Sequence, residues 1–220
     1  VEERWEARRV IAYKFLSAGA VAPFTGYRWP LPGPSGAGAW IAAADARPHH
    51  GVHACRAADL AFWVDAELWR IELADPVRQG QRQIIGRRGR LLDRVASWDA
   101  AMAHAFAEAC VWRARDRSAA SLRRSSLVEA AERLAGCSSI TELRSVSSAL
   151  VARGGLTAAL AGYLAETVDF LLAGDPACSA YISARSAVVA EGGDEDAFGR
   201  EREQQGSLLA ERLGLTQADV

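Results

Sequence analysis

Apolar positions follow two different periods along this chain. Up to about residue 95 they alternate or form short runs, the pattern of strands. Val10–Leu16, VIAYKFL, is rich in β-branched and aromatic residues and predicts a first strand. Between residues 19 and 39, Pro23, Pro30, Pro32 and Pro34 alternate with Gly26, Gly33, Gly36 and Gly38. Proline fixes φ and removes a donor while glycine loosens the backbone, so this stretch predicts a loop. Phe24, Tyr27 and Trp29 make it too apolar for a free linker, and it is expected to fold back on the protein.

Trp40–Ala44 predicts a short strand. The following stretch, Arg47–Leu73, reads as a loop, a strand at Gly51–Cys55, a helix at Ala57–Val64, and a strand whose apolar positions are Leu68, Trp69, Ile71 and Leu73. Asp75-Pro76 and Gln79-Gly80 carry turn residues, and Gln83–Gly86 predicts one more strand.

From about Ser97 the period becomes 3.6 and stays so to the end. Met102, Phe106, Ala109 and Cys110 mark one face of a long helix. Ser126 with Glu129, and Ser139 with Glu142, match the capping box, in which serine accepts from the N3 amide and glutamate reaches back. Leu160, Leu164, Val168 and Leu171 stripe a further helix that Gly174 should end, and Asp175-Pro176 opens the next, with Tyr181, Ile182 and Val188 on its inner side. Asp194 is placed to cap a last helix running to Leu213. The expected fold class is therefore α+β: a small, mostly antiparallel sheet domain over residues 1–96, then a helical bundle over residues 97–220.

Composition narrows the function classes. Half of the 220 residues are apolar, enough for a substantial core, and 26 basic against 27 acidic residues leave no global field to draw nucleic acid or an anionic membrane. Lys14 is the only lysine, all other basic side chains being arginine, a bias typical of GC-rich bacterial genomes. Cys55, Cys110, Cys137 and Cys178 form no CxxC pair and fit a reducing compartment. No apolar run approaches the ~20 residues of a membrane span. A cytoplasmic location follows as the expectation.

Candidate chemistry is sparse. His49, His53 and Cys55 are the residues that would join a zinc site, yet their spacing matches no standard signature. Arg82, Arg87, Arg88 and Arg90 form a local basic run suited to phosphate, hence nucleic acid, without interleaved aromatics. No GxSxG elbow, phosphate-binding glycine loop or HExxH is present. The aromatics Phe24, Tyr27, Trp29 and Trp40 are the expected contact surface for a protein partner, since aromatic side chains bring large area at low entropic cost.

Two resemblances add to this. Tyr13-Lys14-Phe15, Pro23-Phe24, Trp29-Pro30, Gly51-x-His53-x-Cys55, Asp59-Leu60, Trp63 and Leu68-Trp69-x-Ile71-Glu72 are similar to actinobacterial proteins of no assigned activity. Ala180-Tyr181-Ile182-Ser183-Ala184 and Glu201-Arg202-x-x-Gln205, followed by Leu208-Leu209, resemble helical bacterial immunity proteins. What these imply is a bacterial protein that binds a macromolecular partner in an immunity, adaptor or accessory role, without catalysis or cofactor. The order strand, GxH, helix, strand also resembles the core of ADP-ribosyltransferases. That analogy casts His53 and Glu72 as an alternative site using a nicotinamide dinucleotide (NAD).

Overall fold

The computed structural model describes residues 9–34, 36–47 and 50–215. The class is α+β, an antiparallel sheet followed by helices. Chain contacts divide it into two compact units, Val1–Asp99 with Gly206–Val220, and Ala100–Gln205.

In the first unit, β1 (Val10–Leu16), β2 (Ile41–Ala42), β3 (Val52–Ala54), β4 (Glu67–Gln79) and β5 (Ile84–Arg94) form one sheet. β1 pairs with β4 and β4 with β5, while the other edge of β5 is covered by β2 at Arg88–Gly89 and by β3 at Ile84–Gly86. An isolated bridge then joins Cys55 to Tyr13, with reciprocal backbone bonds of 2.7 and 2.9 Å, so the pairings return to β1 and run in a ring. Val10, Ala12 and Leu16 on β1 meet Trp69, Ile71 and Leu73 on β4 and Leu91 on β5 in a dry core. Tyr13 and Phe15 on the other face of β1, and Leu68 opposite Phe15 on β4, are buried as well, so these strands are covered on both sides.

Three expectations change here. Asp75-Pro76 is no turn: β4 runs through it with a bulge between Ala74 and Val77, and Asp75 takes the left-handed conformation (φ 49°) that absorbs the irregularity. The strand expected at Gln83–Gly86 continues to Arg94, because β4 offers it a partner along its whole length. The helix expected at Ala57–Val64 is a 3₁₀ turn, Ala57–Phe62, tightened by Arg56 Nε donating to the buried Asp59 carboxylate at 2.5 Å.

In the second unit, α1 (Ala100–Arg124), α2 (Val128–Ala135), α3 (Ile140–Val151), α4 (Gly155–Leu172) and α5 (Pro176–Ala190) enclose an aliphatic core built from Val111, Leu122, Leu134, Leu143, Leu160 and Leu164 among others. α6 (Asp196–Leu213) begins in this unit. Ser139 caps α3 by accepting from Glu142 N at 3.2 Å, and Asp175 caps α5 by accepting from Cys178 N at 2.9 Å. Ser126 does not cap α2. It sits at φ 61° just past the end of α1, where Ser126 N bonds Arg123 O and Leu127 N bonds Leu122 O, the Schellman pattern of a helix end. Glu129 is left to pair with Arg153 at 2.7 Å.

Apart from Val188, buried as expected, the buried side of α5 carries serines and alanines, among them Ser179, Ala180, Ser183, Ala184 and Ala187, which lets neighbouring helices approach closely. Tyr181, expected to face inward, is 47% exposed and meets the Phe198 ring edge-on at 5.3 Å. α4 is the one described helix long and apolar enough to cross a membrane. Leu160, Leu164, Val168 and Leu171 are buried in the helical core, while Leu172 is exposed and Asp169 pairs with Arg144 at 2.6 Å, as befits a core helix of a bundle.

Candidate functional site

A cavity of about 880 Å³ opens in the first unit. Its walls come from β1 (Tyr13, Lys14, Phe15), the proline-glycine loop (Phe24, Tyr27, Trp29), the segment entering β2 (Trp40), β3 with its flanks (Gly51–Cys55), and the end of the 3₁₀ turn (Phe62, Trp63). Every binding aromatic expected from sequence lines it, and so does the His53–Cys55 strand. The size lies within the ~300–1,000 Å³ typical of small-ligand sites, and so does the aromatic lining with few polar groups.

Each wall has a reason to be where it is. The loop is clamped at its start by Glu67, whose carboxylate accepts from Gly19 N and Ala20 N at 3.1 Å each and from Trp69 Nε1 at 3.0 Å. Burial opposes the charge on Glu67, yet these donors, with Arg94 alongside, hold its carboxyl below the usual glutamate value. Farther on, Gly38 N donates to Leu91 O at 2.8 Å, laying the loop's end beside β5. Trp29, anchored by a 2.9 Å bond from its amide to Ala20 O, is only 4% exposed and belongs to the core. It forms the floor of the cavity, not part of an open contact surface. Phe24, in contrast, is 85% exposed at the rim. Trp40 is held half-buried with the guanidinium groups of Arg88 and Arg90 at 4.8 and 4.7 Å from its ring.

Lys14 is the residue that sequence reading passed over. It lies on the face of β1 that elsewhere carries Val10, Ala12 and Leu16, so its side chain starts inward and lines the cavity. Nζ donates to His53 O at 2.7 Å and lies 5.3 Å from the centre of the Trp29 ring. Burial disfavours the ammonium and pushes its pKa down to about 8.

The alternative sites come apart. His53 lines the cavity and its Nδ1 lies 2.8 Å from Gln83 Oε1. Glu72 does not line it: it is buried on β4 opposite Ile11 and Arg90, and its carboxylate is taken by Arg90 at 2.6 Å and Arg9 at 3.3 Å. No shared pocket unites them as a dinucleotide site would require. Of the zinc candidates, His49 lies outside the described residues, and the Cys55 thiol is pushed up by burial and by Asp59, away from the thiolate a metal needs. Among the described residues no group of three metal-capable side chains converges. In the basic run, Arg88 pairs with Asp75 at 3.5 Å and Arg90 with Glu72, while Arg82 stacks on Phe62 at 4.1 Å. Only Arg87 of the four is exposed.

Compared with known proteins, the chain matches no family model, no curated protein and no solved structure.

Proposed function

We propose that this chain is a bacterial, cytoplasmic binding protein without catalysis of its own, and that the aromatic cavity of its sheet unit is the recognition site. The observation that carries the reading is the convergence on one 880 Å³ cavity of Phe24, Tyr27, Trp29, Trp40, Phe62 and Trp63, from three separated stretches of chain. Aromatic walls of this kind bind flat apolar groups by area and by offset stacking. Four free cysteines, three of them buried, accord with the reducing compartment.

The test is titration with a neutral fluorescent probe, N-phenyl-1-naphthylamine. Binding to the parent protein should weaken at least tenfold in Trp40→Ala and Phe24→Ala, and stay unchanged in Trp112→Ala, whose ring lies in the helical unit. Equal binding by all four proteins counts against the cavity.

A second reading keeps the same loop but gives it a macromolecular partner, in an immunity, adaptor or accessory role. It is favoured by Phe24 and Leu31, apolar side chains of one loop that are 85% and 58% exposed. Here Phe24→Ser with Leu31→Ser should abolish capture of the partner while leaving thermal stability unchanged; capture that survives both changes removes this role from the loop.

A further inference from the structure

The cavity wall holds a cation, Lys14, that has no counter-ion among the described residues. Along it, the groups that titrate or carry charge are Tyr13, Lys14, Tyr27, His53, Cys55 and Asp65. Lys14 Nζ has one hydrogen-bond acceptor, the His53 carbonyl, and one aromatic face, Trp29. An ammonium has three protons to donate. Asp65 is turned to other donors, accepting from Ser17 Oγ at 2.8 Å and from Ala66 N at 2.7 Å. Burial pushes the Cys55 thiol up, so it stays neutral and offers Lys14 no charge. Among the described residues no carboxylate pairs with Lys14, although the other basic side chains of this unit find one repeatedly, as Arg47, Arg56, Arg70, Arg88 and Arg90 do.

A half-buried charge without a partner is costly, and an incoming opposite charge that reaches it recovers more than the same pair would in water. With aromatic rings on the remaining walls, the complement is a flat apolar body ending in one carboxylate. We infer that the cavity binds a small planar aromatic carboxylic acid as its anion, its ring among Trp29, Trp40 and Phe62 and its carboxylate against Lys14 Nζ. The inference rests on the cavity being the recognition site and adds the chemical class of its occupant. The lowered amine basicity gives a second signature: above pH ~8 the free protein has lost the ammonium, so binding takes up one proton and affinity falls as pH rises.

The experiment is calorimetric titration of the full chain with naphthalene-2-carboxylate and with its neutral isostere naphthalene-2-carboxamide, between pH 6.5 and 10. The expected result is at least tenfold tighter binding of the acid at pH 7. That preference should shrink about tenfold per pH unit above 8 and vanish in Lys14→Met and Lys14→Gln. The pH series on the unaltered protein decides the matter even where a variant fails to fold. Acid and amide binding equally well, with no pH dependence, overturns the charge pairing but leaves the cavity as a neutral site. Failure of both compounds to bind overturns the cavity reading itself. Borohydride-trapped adducts of Lys14 with 2-naphthaldehyde, together with no preference for the acid, would assign the amine to carbonyl capture and also overturn the inference.

Discussion

At the scale of single residues, burial separates side chains that look alike in the sequence. Phe24 and Trp29 both belong to the proline-glycine loop, yet one stands at the cavity rim and the other is part of the sheet core. Trp29→Ala should therefore destabilise the protein by roughly 3–5 kcal/mol, as removal of a buried indole leaves a void. Phe24→Ala should leave the denaturant midpoint unchanged; urea unfolding of the two variants distinguishes them. Lys14 behaves in the opposite sense. Its folded pKa of about 8 lies below the ordinary value of 10.5, so the unfolded chain holds its proton more tightly across that window. Stability should thus rise with pH between about 8 and 10.5, and Lys14→Met should be the more stable protein at pH 7, by on the order of 3 kcal/mol, with the gain fading through that window. Thermal unfolding of parent and variant at pH 7 and 10 measures this directly.

At the scale of elements, two contacts hold the parts of the sheet unit in place. The Glu67 carboxylate is the clamp between β4 and the start of the loop. Its folded pKa is depressed, so its contribution is fully present above pH ~4.5 and is lost as pH falls through the lower folded value. Glu67→Gln should lower Tm at pH 7, and the gap to the parent should close on going to pH 3.5; a gap that persists there would mean the clamp is not ionic. The other contact is Gly206 on α6, where an added Cβ would come within 2.0 Å of the Ala58 carbonyl oxygen in the 3₁₀ turn. No flexible side chain can yield there, so Gly206→Ala should cost about 1–3 kcal/mol in urea unfolding, although alanine is the better helix former. Sequence periodicity disclosed β1, the loop and the succession of helices, because each rests on a local pattern. It missed the extent of β4 and β5, whose pairing outweighs the turn residues Asp75 and Pro76, and it misassigned Ser126, since serine next to a helix is read as a cap unless the preceding helix claims it.

At the scale of the whole molecule, the candidate site was legible in its parts and not in its assembly. The aromatics of the loop and the His53–Cys55 strand stood out in the sequence as separate possibilities, one a surface and the other a metal or dinucleotide site. Long-range pairing, above all the Tyr13–Cys55 bridge, brings both to one cavity and leaves Glu72 outside it. Lys14 was hidden because a lone lysine in an arginine-rich chain reads as a matter of codon usage. Its position two residues from Ala12 and Leu16, on the face they bury, was the available signal. Whether this cavity is where the protein binds can be read from the tryptophan indole N–H resonances of ¹⁵N-labelled protein titrated with naphthalene-2-carboxylate. Trp29, Trp40 and Trp63 line the cavity, whereas Trp98 and Trp112 do not, their indoles donating to Asp65 O and Glu108 Oε1 respectively. Saturable shifts confined to the first three are the expected result. Shifts centred on Trp112, or a spectrum that does not change, would contradict it.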